Sequence, residues 1–310
     1  MQVVSVMNYK GGVGKTTLTA NLAAEIANVG HRVLMIDLDP QANLTFSFYT
    51  VDDWTSEVRE ARTIKRWYDG EIPGRDVPLD QLILTPERVN DRVKENAGQL
   101  DLVSSHLGLI DIDLQLASRL GGTTLAESKR KFLQVHGCLK VALQAPAFRD
   151  YDVILIDCAP NFGLVTKTAI VASDFVLVPA KPDYLSTLGI GYLKGSVKKL
   201  VEEYNAYVSH DPGGRDGARH ISPEFAGIAF MMMQIHAGQP ILLQRTQIEE
   251  LREADIMPIL ETSVRNSPRY FAEAGPTGIP AVLHGSANDP VSAELRALTK
   301  EFVHAITGRR

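Results

Sequence analysis

One octapeptide, Lys10-Gly11-Gly12-Val13-Gly14-Lys15-Thr16-Thr17, limits what this chain can become. It follows a short β-rich run at residues 2–7. It opens a stretch, residues 16–29, in which Leu18, Leu22, Ala23 and Ile26 share one helical face. Gly30 ends that helix, and residues 32–36 form a second apolar strand that closes on Asp37. Strand, glycine turn, helix and strand together make a βαβ unit. Its strands must run parallel with a right-handed crossover, because a twisted strand feeding a right-handed helix packs back onto its sheet only that way.

Further apolar runs at residues 100–103, 153–156, 175–178 and 226–232 read as strands, with a last one at 281–283. Helical stretches such as 190–204 and 247–254 separate them. Continuous apolar strands alternating with helices predict an α/β architecture, a doubly wound, mostly parallel sheet flanked by helices. With 310 residues and 45% hydrophobic content the chain can build one large core, and we expect a single domain over residues 1–310. Residues 50–98 are less regular. They carry Trp54, Trp67, Pro73, Gly74, Pro78 and many charges, and read as a surface excursion with one or two helices. Residues 210–219 are polar and glycine-rich, and read as a loop.

Composition excludes several classes. At 22% charged residues the chain is not globally disordered, and a net charge of -5 is not that of a polycation, so any nucleic-acid contact must use a local patch. Two cysteines, Cys138 and Cys158, are too few for a disulfide framework or a four-thiolate zinc site. The apolar start is too short for a signal peptide. No run reaches the roughly 18 residues of a membrane span, the longest being 225–233. These features predict a soluble, cytoplasmic protein.

The glycine loop carries phosphate chemistry. Glycines let the backbone curl so that successive N–H groups point inward at phosphate oxygens, and the following helix adds its positive N-terminal end. Lys15 supplies a full charge to the β- and γ-phosphates, and the Thr16 hydroxyl can ligate magnesium. The general pattern would place glycine at position 9, where Tyr9 stands; a second lysine, Lys10, precedes the glycine pair instead. The carboxylates follow strands. Asp37 and Asp39 end the second strand in Ile36-Asp37-Leu38-Asp39-Pro40-Gln41, and Asp157 ends the run Val153-Ile154-Leu155-Ile156. Carboxyl ends of parallel strands face the ligand crevice, so each can order a water or a metal aquo-ligand. Cys158, beside Asp157, has no partner cysteine in view and reads as core.

Lys10-Gly11-Gly12-Val13-Gly14-Lys15-Thr16-Thr17 resembles the deviant Walker A motif of the ParA/MinD ATPases, P-loop NTPases of the SIMIBI class. The resemblance implies ATP and Mg2+ on Gly11, Gly12, Val13, Gly14, Lys15, Thr16 and Thr17. It implies that Lys10 reaches across a nucleotide-sandwich homodimer to the partner's phosphates. Residues 37–45 look like the family's switch I, in which Asp39 positions the attacking water and Asp37 joins the magnesium network. Asp157-Cys158-Ala159-Pro160 looks like switch II. Pro179-Ala180-Lys181-Pro182-Asp183 matches a Pro-x-x-Pro-acid segment whose bland reading is a stiff turn. Met231-Met232 stands where the family has Thr-Met before the base, which makes Met232 and, in the late segment, Pro268 nucleotide-contact candidates. That late segment runs through Arg265-Asn266, Glu273-Ala274 and Gly278-Ile279-Pro280.

The family resemblance, closest to ParA/Soj-type partition proteins, implies an ATP-driven dimer that binds DNA without sequence preference and is nucleoid-associated in that state. A ParB-like or cargo-adaptor protein would stimulate its weak hydrolysis. Arg265 and Arg269 match a DNA-contacting arginine region, and Lys194, Lys198 and Lys199 are candidates to extend the patch. Two other classes remain open at this point. One is a P-loop synthetase or kinase, for which no acceptor pocket is legible. The other is a MinD-like membrane-recruited regulator. Residues 292–310 read as an ordinary helix with Leu295, Leu298, Phe302 and Ile306 on one stripe and Glu294 and Glu301 among them, which favours core packing over a membrane surface.

Overall fold

A computed structural model describes residues 1–70, 77–209, 218–272, 277–284 and 289–308. Six parallel strands form one sheet: β1 (Gln2–Val6), β2 (Arg32–Leu38), β3 (Gln99–Val103), β4 (Val153–Cys158), β5 (Phe175–Ala180) and β6 (Glu224–Phe230). Their spatial order is β3-β2-β4-β1-β5-β6. This places β1 between β4 and β5, with Val6 opposite Asp157 and Leu177. β2 lies beside β4, with Asp37 opposite Asp157. The loops that leave β1, β2 and β4 are therefore neighbours at the carboxyl edge of the sheet, where ligands bind in folds of this kind.

Each strand is buried on both faces because helices cover both. One layer is α1 (Lys15–Asn28), α3 (Glu87–Val93) and, at the far end of the chain, α10 (Ala281–His284) and α11 (Pro290–Thr307). Leu18, Leu22 and Ile26 of α1 meet Leu295, Leu298, Phe302 and Ile306 of α11 there in one cluster with Val4, Val33 and Met35. The other layer holds α2 (Ile64–Gly70), α4 (Ile112–Ser118), α5 (Leu125–Ala142), α6 (Leu164–Ala172) and α7 (Tyr184–Ser209), packed on Val3, Leu34, Ile36 and Ile154. A small hairpin, β7 (Ile235–His236) and β8 (Gln239–Pro240), leads into α8 (Leu242–Glu253); the short α9 (Pro268–Ala272) follows.

The run at 281–283, expected as a strand, is the helix α10. Three apolar residues cannot distinguish the two periods, and the backbone N–H of Val282 is taken by Asn21 of α1 rather than by a strand. Within 50–98 the described residues are mostly short helical turns. Trp67 and Tyr68 are buried in the core on the sheet, while Trp54 and Val58 form a separate cluster with Leu84, so this excursion carries packing of its own. The glycine-rich loop at 210–217, Pro73, Gly74, Glu273, Ala274, Arg309 and Arg310 lie outside the described residues.

Candidate phosphate-loop site

The loop between β1 and α1 is built for an anion. Gly12 and Gly14 hold φ of 69° and 88°, the left-handed region that glycine enters without a Cβ penalty. A Cβ on Gly11 or Gly12 would meet nothing within 4 Å, so the inner surface of the turn is open. No side chain caps α1, whose N-cap is Gly14. Its first N–H groups therefore remain available to a ligand, together with the positive end of the helix. Val13 is buried and anchors the turn.

Lys15 leads α1 and is buried, its Nζ donating to the carbonyl of Lys10 at 3.2 Å. Burial pulls its pKa below the ordinary lysine range, and the charges of Asp157 and Asp39 partly restore it. A desolvated ammonium over an open cradle is a group prepared for phosphate oxygens. The Thr16 hydroxyl donates to Asp157 Oδ2 at 2.7 Å. Asp157 and Asp37, paired across β4 and β2, are fully buried, and burial above all drives both carboxyls upward, Asp37 to about 7. Two adjacent buried carboxylates beside a hydroxyl form an oxygen donor set that a hard divalent cation would relieve. Among the described residues no three His, Cys, Asp or Glu form a metal cage of their own, which fits a magnesium held largely by phosphate and water. Cys158 is buried and its thiol is pushed upward by burial and by Asp157, so it is an inert core residue.

Switch I is held by hydrogen bonds that the sequence did not announce. Asp37 Oδ2 accepts from the backbone N–H and the hydroxyl of Thr45, both at 2.8 Å, and Asp37 Oδ1 accepts from the Asp39 N–H at 3.1 Å. Asp39 is 8% exposed. Its Oδ1 accepts from the Gln41 N–H at 2.9 Å; Oδ2 has no protein partner among the described residues. Ser105, just beyond β3, reaches the same segment through its own N–H and hydroxyl. The only sequence signal for it was a pair of small hydroxyl residues, Ser104-Ser105, at a strand's carboxyl end.

Lys10 extends from the loop toward α7. Its Nζ lies 2.7 and 2.8 Å from the two carboxylate oxygens of Asp183 and 3.3 Å from the Ser186 hydroxyl. Asn8 braces the same corner, donating to the Pro179 carbonyl and accepting from the Lys10 N–H. The Pro-x-x-Pro-acid segment is thus more than a stiff turn: it seats the extra lysine.

The base and DNA candidates come from other elements. Met231, rather than Met232, faces Gly14, and would touch a Cβ there at 3.4 Å. Met232 follows with φ of 60°, and Pro268 begins α9 at the surface. Arg265 is bound to Glu294 of α11, with Nη2 and Nε at 2.6 and 2.7 Å from Oε1. Arg269 is exposed. Lys194, Lys198 and Lys199 are exposed along α7, where Lys194 donates to the Ile256 carbonyl and Lys198 is 3.8 Å from Glu202. The lysines and Arg265 occupy opposite helical layers, so they are two groups and not one continuous helix face.

A family model described as an AAA domain matches residues 1–210. The sporulation initiation inhibitor protein Soj of Bacillus subtilis is 31% identical over 204 residues, covering 66% of this chain and 68% of Soj. The chain belongs to the ParA/MinD family of P-loop NTPases. Another member, the cell division protein PomZ of Myxococcus xanthus, is 30% identical over 205 residues, 66% of this chain and 54% of PomZ, so the match spans about half of that protein. Among solved structures, a plasmid partition protein from Borrelia burgdorferi bound to AMPPNP superposes with a TM-score of 0.68 at 19% identity, over 98% of this chain and 99% of the other. Cobyrinic acid a,c-diamide synthase from Mycobacterium smegmatis, with an ATP analogue and magnesium, gives 0.67 at 21% identity over 100% and 97%. At these identities the likeness is one of fold, shared by a partition protein and a synthase alike. Which of these activities the chain carries is therefore a matter of its own residues rather than of its fold.

Proposed function

We propose that this chain is an ATP-gated molecular switch of the partition and positioning type. Mg-ATP binds on residues 11–17, and a second copy closes over the nucleotide. The dimer then holds DNA through backbone phosphates, and a ParB-like or cargo-adaptor protein triggers hydrolysis and release. The observation that carries this reading is the corner occupied by Lys10. A lysine is not needed there for a phosphate cradle, yet its ammonium sits on the rim, 37% exposed and, among the described residues, held by Asp183 and Ser186. From that position it can turn to a second molecule's phosphates.

The geometry supports a distinct role for each residue. Lys15 and the N–H groups of the loop bind the phosphates. Thr16, Asp157 and Asp37 would hold magnesium and its waters, which would supply positive charge against the phosphates. Asp39, with one carboxylate oxygen unpartnered among the described residues, orients the attacking water. Relatives such as Soj and PomZ and the AMPPNP-bound partition protein support the partition and positioning class of this reading. A membrane-recruited regulator is disfavoured because the apolar stripe of α11 is consumed by the core. No described helix is long and apolar enough to cross a membrane. Phosphate release from Mg-ATP by wild type and Asp39→Ala tests the reading: turnover in wild type and its loss in the variant are expected, and equal turnover in both would overturn the role of Asp39.

A further inference from the structure

We infer that Ser105 is a positioning residue for hydrolysis, a clamp from β3 that sets where the Asp39 carboxylate stands. The inference rests on the proposed role of Asp39 and goes beyond it by naming what holds that residue.

Asp39 has little of its own to fix it. Its N–H donates to Asp37 at the end of β2 and its carbonyl accepts from the Ala42 N–H at 2.9 Å, both contacts with residues next to it in the chain. Bonds this local leave the turn beyond β2 free to pivot about the strand's end. Among the described residues, the one hydrogen bond that ties the Asp39 backbone to a residue distant in the chain is from the Ser105 hydroxyl, which donates to the Asp39 carbonyl at 2.6 Å. The Ser105 N–H donates to Thr45 Oγ1 at 3.0 Å, and that hydroxyl donates to Asp37. Ser105 therefore grips switch I at both ends of its turn, at Asp39 and at Thr45, and through Thr45 it reaches the carboxylate beside Asp157.

The grip is anchored from behind. Ser105 is 0% exposed, and the Ser104 hydroxyl donates to its carbonyl at 3.1 Å while accepting from Trp54 Nε1 at 3.0 Å. A fully buried hydroxyl whose single donor is spent on one carbonyl has a defined direction. Reaction rates depend on displacements below an ångström in groups that orient water, so a contact of ordinary strength can matter more for turnover than for stability.

The test is single-turnover hydrolysis and nucleotide affinity, measured without any activating partner, for wild type, Asp39→Ala, Ser105→Ala and Ser105→Thr. Thr85→Val is the control, because Thr85 makes a comparable bond to Asp101 of the same strand, away from the site. Ser105→Ala should slow hydrolysis about tenfold or more, with Kd for Mg-ATP within about twofold of wild type. Ser105→Thr, which keeps the hydroxyl, should recover most of the rate. Ser105→Cys, isosteric but a weak donor, gives the same reading if the alanine variant does not fold. If Asp39→Ala is silent while Ser105→Ala and Ser105→Cys hydrolyse at the wild-type rate, the clamp is wrong and the Asp39 role stands. If Thr85→Val slows hydrolysis as much as Ser105→Ala at equal loss of thermal stability, Ser105 is only a structural residue and the inference falls. If Asp39→Ala hydrolyses normally, the parent reading itself fails.

Discussion

Lys10 Nζ is 2.7 Å from Asp183 Oδ2, an ion pair within one chain that occupies the lysine otherwise free to reach a second molecule. Burial alone would raise the Asp183 pKa, but hydrogen bonds from Lys10 and Ser186 outweigh it and hold the carboxyl below its ordinary value. The pair is thus fully formed above the usual carboxylate pKa of about 4 and is lost only as pH falls through the lowered value. Both side chains are about a third exposed, so its worth is on the order of 0.5–1 kcal/mol. Asp183→Asn should therefore release Lys10 at neutral pH and shift ATP-dependent self-association to a two- to fivefold lower protein concentration, read by sedimentation velocity. An unchanged midpoint would show that the pair does not compete with assembly.

Lys15→Ala separates binding from stability. Losing a desolvated lysine–phosphate contact costs several kcal/mol of affinity, about what breaking a buried charge pair costs. Calorimetry should find no Mg-ATP binding. Because burial disfavours the Lys15 ammonium in the free protein, the variant should melt no lower than wild type without nucleotide while losing the rise in Tm that ATP produces. A folded variant with near-normal affinity would remove the site.

Gly163 sits where a side chain would collide with the Asp113 carboxylate, and that carboxylate is itself fixed because its Oδ1 accepts from the Val165 N–H at the start of α6 at 2.8 Å. Gly163→Ala should cost roughly 1–3 kcal/mol of stability by crowding. In an Asp113→Ala background the same change should cost less, and denaturant unfolding of the four proteins measures the difference. Additive costs would show that the two do not meet.

Charge removal should sort the basic candidates. Lys194→Ala, Lys198→Ala and Lys199→Ala combined should weaken DNA binding of the ATP form on two unrelated duplexes and make the salt dependence shallower, with ATP affinity unchanged. Arg265→Ala should also lower stability by about 1 kcal/mol, because Glu294 Oε1 loses the guanidinium while Oε2 keeps the residue-265 N–H. Fluorescence anisotropy reads the first and thermal unfolding the second. No binding to either duplex at low salt, in a protein that does associate with ATP, would turn the reading toward a protein scaffold.

The phosphate loop was legible because each of its residues is required locally: a strand, glycines with positive φ, a lysine and a threonine, all within one short turn. Asp37, Asp39 and Asp157 were legible because strand ends at a carboxyl edge have few other uses for aspartate. Ser105, Asp183 and Asp113 were not, since each acts on a residue many positions away and nothing local marks it. The run at 281–283 failed for the opposite reason, its three apolar residues fitting either period until Asn21 took the Val282 N–H. Arg265 could be matched by motif, but its bond to Glu294 exists only once α11 packs.

The central claim is that ATP closes two copies over the nucleotide through Lys10. Light scattering on size-exclusion peaks, with and without Mg-ATP, tests it on wild type, Asp39→Ala and Lys10→Ala. The account predicts monomers without nucleotide, a stable dimer of Asp39→Ala with ATP, and Lys10→Ala monomeric under all conditions despite retaining nucleotide. Monomeric Asp39→Ala at saturating ATP, or a Lys10→Ala protein that dimerises as Asp39→Ala does, would contradict it.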